Sequence, residues 1–265
     1  MRIFIHELKA NVRSSLIWSG TMVFLIYAGM MKYGAFEKTG ESVNEIFAQM
    51  PPALLKVLGM DGGGDLTSVA VFYSIFYLYF VLLAAVHALM TGAIIIGKEE
   101  RDKTAEFLLV KPITRFQITT EKTLAAFAHV LAINLVTLVI SVVAVMPYAK
   151  GVNYFSDIVM VCIGLFFVQL LFFGLGICLG GALHRSKTAT GLGGGIILTT
   201  FMLKVLIDLN KDLEGLTILT PFSYFSGDAL MLKNELDLAL AAVATIAGLT
   251  LIAIGYWRFN IRDIH

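Results

Sequence analysis

Six stretches of this chain are apolar enough, and near enough to about 20 residues, to cross the hydrocarbon core of a bilayer as helices. They fall at roughly 14–32, 69–97, 124–147, 157–183, 188–208 and 236–257. Backbone in hydrocarbon must satisfy its own hydrogen bonds, so a spanning chain is helical or a closed barrel. The runs lack the period-2 alternation of barrel strands, which leaves helices. Charge agrees: only 15% of 265 residues are charged against 58% hydrophobic, with mean hydropathy +0.83. That is too little charge to cover a soluble domain of this size. The expected fold class is an all-α polytopic membrane protein, residues 1–265 forming one transmembrane domain of six helices.

Six spans put both ends and two loops on one side. That side carries Arg2, Lys9 and Arg13, six basic residues between Lys98 and Lys122, Arg185 and Lys187, and Arg258 and Arg262, thirteen of 20 lysines and arginines. The positive-inside rule therefore places the N- and C-termini in the cytoplasm. The N-terminal run is longer than a signal-peptide core and no A-x-A site follows it, so it reads as a retained first span. Net charge of +1 gives no field for nucleic acid. Cys162 and Cys178 fall far apart on one span and cannot pair with each other there.

Between the spans the chain reads as connectors. Residues 2–13 stack Arg2, His6, Lys9 and Arg13 on one face and read either as an amphipathic interfacial helix in contact with membrane lipid or as a frayed basic flank of the first span. The external segment 33–68 holds two short helices and a glycine run, and the external segment 209–235 an aromatic turn, Pro221-Phe222-Ser223-Tyr224-Phe225, suited to the membrane interface. Gly174, Gly176, Gly180 and Gly181 let the fourth span approach its neighbours closely. Gly191 and Gly193 to Gly195 loosen the start of the fifth. The cytoplasmic segment 98–123 opens on alternating charge and continues into Phe107-Leu108-Leu109-Val110, too short to span. Pro112 then breaks the helix. An apolar knob at a membrane base needs a cover, either the bundle or a cytoplasmic partner.

Chemistry is sparse. Gly92 to Glu99 approaches a phosphate-binding loop, but Glu99 stands where the magnesium-binding hydroxyl belongs and a span precedes it. No catalytic or metal set is assigned. His87 and His129 lie within spans, each far from a second ligand in sequence, and read as packed residues. Lys204 and Asp208, four apart near a span end, are either a neutralised pair or a polar element of a transport path. Tyr73, Phe76, Tyr77 and Phe80 share one face of the second span, as an aromatic belt or as the wall of a path for amphipathic substrates.

The order Glu100-x-x-x-Thr104-x-Glu106-x-Leu108-Leu109-x-x-Pro112-Ile113-Thr114-Arg115, then Lys122, resembles the cytoplasmic loop of ABC-2 type transporter permeases. Leu54 to Gly59, Pro221 and the closing Arg262-Asp263-Ile264 are similar to that family too; Lys103 stands where many members have glycine. The resemblance implies a permease subunit of a bacterial ABC exporter, multi-pass in the plasma membrane, acting on amphipathic peptides, drugs or other hydrophobic compounds. It implies a second permease copy, as a homodimer or with a close paralogue, and two copies of a cytoplasmic ABC ATPase that carry the ATP and magnesium. No cofactor is expected in this chain. Segment 98–123 would be the coupling helix, with Glu100, Thr104, Glu106, Phe107, Leu108, Leu109, Pro112 and Arg115 at the ATPase. The alternatives are a stand-alone secondary transporter or channel, and third an intramembrane hydrolase.

Overall fold

A computed structural model describes residues 2–39, 49–51, 55, 65–101, 114–183 and 185–261. Six long helices follow the apolar runs: α1 (Arg2–Thr39), α2 (Val69–Arg101), α3 (Arg115–Val145), α4 (Phe155–Ala182), α5 (Ser186–Leu209) and, after a five-residue helix α6 (Gly227–Met231), α7 (Leu238–Ile261). All six are long and apolar enough to cross a membrane, and the described residues contain no strand. Residues 2–13 do not form a separate helix, because α1 runs unbroken through 13 and 14. Nor does α5 start loosely. It is helical from Ser186, and its glycines 191, 194 and 195 face open space.

Glycine spacing explains how the helices pack. The central helix, α4, packs along α2 on one side and α7 on the other, and α1 lies against α3. A side chain at Gly176 or Gly180 would run into the α2 backbone at Leu89 or Ala93. One at Gly174 or Gly181 would meet Gly248 or Gly255 of α7. Two glycine faces on one helix thus bring three backbones into contact, where dispersion and shape fit replace a hydrophobic drive that lipid does not supply.

Caps hold the ends. Thr114 and Gln117 form a reciprocal capping box at the start of α3. Tyr33 of α1 donates to the Thr67 carbonyl at 2.6 Å, just before α2. Glu37 pairs with Lys150 in the α3–α4 turn at 2.8 Å and holds that ammonium above the ordinary lysine range. The aromatic turn at 221–225 folds inward. Phe222, Tyr224 and Phe225 are buried, with Phe222 against Phe172 and Phe201 and Phe225 against Phe167. Its rings find closer partners inside the bundle than a headgroup layer offers.

Candidate functional site

Three helices meet on one carboxylate at the end of the bundle that carries the chain's two ends. Glu7 of α1 is 2% exposed. Its Oε2 accepts from Lys98 of α2 at 2.9 Å and from Asn11 at 3.2 Å, and its Oε1 accepts from Lys122 of α3 at 3.3 Å. Lys122, equally buried, also donates to the Ile95 carbonyl at 3.1 Å. Neighbouring Glu121 accepts from the backbone N–H groups of Ile3 and Phe4, at 3.1 and 3.0 Å. Those N–H groups have no partner within their own helix, and the carboxylate suits the positive end of the α1 dipole. The adjacent Glu121 and Lys122 thus dock α1 by two different bonds. Lys98 and Lys122 also bracket the segment 98–123, so Glu7 ties down both of its stems.

Of the residues expected at the coupling loop, Thr104, Glu106, Phe107, Leu108, Leu109 and Pro112 lie outside the described residues, as does the Glu100 side chain. Arg115 is half-buried at the start of α3, and its guanidinium reaches the Asn260 carbonyl of α7 at 3.5 Å. The start of α3 therefore lies beside the end of the last span.

The expected substrate-path residues divide into two groups. Tyr73 and Phe80 are fully buried in the core, and the Tyr73 hydroxyl donates to Ser141 of α3 at 2.6 Å. Phe76 fills the space over Gly29 and stacks on Phe72. Tyr73 thus ties α2 to α3 and Phe76 packs it on α1, with Phe80 against both rings. Tyr77, Lys204 and Asp208 instead come together around a cavity of 230 Å³ at the end of the bundle away from Glu7. Lys204 and Asp208 form an ion pair across one helical turn, as their spacing predicts. Asp228 of α6 joins them and accepts from Ser74 of α2 at 2.8 Å. Sequence spacing gave no sign of Asp228, which reaches the site through a turn 20 residues beyond Asp208.

A second, smaller space of 90 Å³ joins two residues that looked isolated in sequence. His87 of α2 and His129 of α3 both line it, with Trp18 of α1 edge-on to His87 at 5.4 Å. His87 Nε2 shares a hydrogen bond with Thr91 at 3.1 Å. Among the described residues no group of three His, Cys, Asp or Glu stands close enough to hold a metal ion.

Fold and site together define a polytopic helical membrane protein with an ion-paired base and a polar cavity at its far end. A family model described as "ABC-2 family transporter protein" matches residues 1–264. The chain belongs to that family and is a membrane permease of the ABC transporter class. Comparison with the curated proteins returns no match.

Proposed function

We propose that this chain is the membrane half of an ATP-driven exporter in a bacterial plasma membrane, powered by two copies of a separate ABC ATPase. Both chain ends and segment 98–123 lie in the cytoplasm, and a second copy or close paralogue completes the transporter. ATP and magnesium bind the ATPase. Amphipathic peptides, drugs or other hydrophobic compounds are the cargo, moving along a path that includes Tyr77, Lys204 and Asp208.

The observation that carries this reading is the Glu7 junction. A loop that passes force from a motor to a bundle needs stems fixed to the helices it moves. Lys98 and Lys122 are the two stems, and Glu7 fixes both to α1. Phe107, Leu108 and Leu109 form the knob in the ATPase cleft, Glu106 and Arg115 its polar anchors, and Glu100, Thr104 and Pro112 shape the turn around it. The test is Leu108→Asp with Leu109→Asp in the chain co-expressed with its ATPase. Loss of co-purification and of ATP-dependent transport is expected. Retention of both defeats the docking model. The intramembrane Lys204–Asp208 pair favours a second reading, a stand-alone secondary transporter, which requires gradient-driven uptake by the purified chain without any ATPase.

A further inference from the structure

The cavity between α2, α5 and α6 has a charge that its own residues do not balance. Asp208 and Asp228 bring two carboxylates, and Lys204 brings one ammonium, already paired with Asp208. The formal sum is one negative charge. Among the described residues no basic side chain pairs with Asp228, whose hydrogen-bond partner is the neutral Ser74. A partly buried carboxylate is costly to leave without a counter-charge.

An independent observation concerns polar groups that have been left open. Tyr77 is 3% exposed, lines the cavity, and has a buried hydroxyl with no hydrogen-bond partner. The Ser223 hydroxyl, also on the lining, is in the same state. Buried hydroxyls nearly always find a partner, so two orphan hydroxyls on residues that line one polar space imply that something else supplies it. Water can satisfy a hydroxyl, but it cannot balance the carboxylate. A cation with N–H donors does both. Beside its polar groups the wall carries Ile75, Leu78, Val81 and buried Phe222 and Phe225, which suits an organic cation over a hydrated metal ion. At 230 Å³ the space is several times the roughly 30 Å³ share of one water.

We propose that this cavity binds the protonated amine of an amphipathic organic cation. The ammonium sits against Asp228, with the Tyr77 and Ser223 hydroxyls accepting its N–H groups and the aromatic side chains of Phe222 and Phe225 packing on its carbon skeleton. Lys204 holds Asp208 in place and keeps the site at a single excess charge, so that one monovalent cation neutralises it. The inference rests on the reading of this region as part of the substrate path, and it narrows the cargo to compounds that carry an amine.

The test uses the full chain in phosphatidylcholine nanodiscs, titrated calorimetrically with benzylammonium, against empty nanodiscs as the blank. Phenylacetate and benzyl alcohol keep the ring and change the charge. Benzylammonium should bind saturably and the other two should not. Tyr77→Phe and Asp228→Asn should each weaken it by ~10-fold, the scale of one hydrogen bond to a charged group. Tyr77→Phe should melt no lower than the parent without ligand, because the hydroxyl it removes has no partner to lose. A purely structural tyrosine would give the opposite pair of results. Equal binding of phenylacetate or benzyl alcohol, or benzylammonium binding unchanged in both variants, overturns the proposal. So does the absence of any amine binding, and that outcome leaves ATP-driven export standing, since export is read by transport with the ATPase present.

Discussion

Replacing Glu7 with alanine removes the carboxylate that Lys98 and Lys122 share. Lys98 retains 19% side-chain exposure and can turn its ammonium outward along its stem. Lys122 cannot, with 2% of its side chain exposed, although it keeps its bond to the Ile95 carbonyl. Breaking a buried pair by deleting one partner costs about 3–5 kcal/mol, most of it the penalty on the charge left behind. The lower bound applies here, because Lys98 escapes and Lys122 keeps a carbonyl. About 3 kcal/mol shifts the folded-to-unfolded ratio by roughly 150-fold. Lys122→Met should cost less, about 1–3 kcal/mol, since Glu7 keeps Lys98 and Asn11 as donors. Joining Glu7→Leu to Lys122→Met removes both buried charges and should recover much of the loss, as apolar replacements of buried pairs do. Equilibrium unfolding of the purified chain in mixed micelles gives all three values, and a double-mutant cycle completed with Glu7→Leu alone isolates the pair. A Glu7→Ala variant within about 0.5 kcal/mol of the parent, the range of an ordinary surface change, would refute the reasoning. So would a cycle that closes with no coupling.

Two further variants probe the packing. Tyr73→Phe should destabilise by about 1–2 kcal/mol in the same unfolding assay, because it strands the buried Ser141 hydroxyl; adding Ser141→Ala should return most of that. Gly181→Leu should lower stability by at least about 1–3 kcal/mol, since the new side chain meets the fixed Gly255 backbone. Gly195→Leu, which points into open space, should leave the melting temperature near the parent's.

The spans were legible because hydrocarbon leaves the backbone so few choices. The glycines of α4 were legible for a related reason, since close packing between spans needs small residues at helical spacing. Glu7 was not. In sequence it sits beside a basic face made of Arg2, His6, Lys9 and Arg13, and its partners lie 91 and 115 positions away. A lone acid beside that basic face was the one signal available. The aromatic face of α2 shows a different limit. Periodicity put Tyr73, Phe76, Tyr77 and Phe80 on one side, but only the neighbours decide that Tyr77 lines a cavity while the others fill a core. Likewise His87 and His129 share a cavity because α2 and α3 pack together, which no local spacing encodes. Asp228 was hidden by an inward-folding turn that composition had assigned to the membrane surface.

The central claim is that a cytoplasmic motor grips segment 98–123. A photo-crosslinking amino acid at Leu108, compared with one at exposed Leu216 on the far side of the bundle, tests it in intact cells that express the chain with its ATPase. The account predicts a crosslink to the ATPase from position 108 and none from position 216. A crosslink from 216 alone, or none from 108 while ATP-driven transport continues, contradicts it.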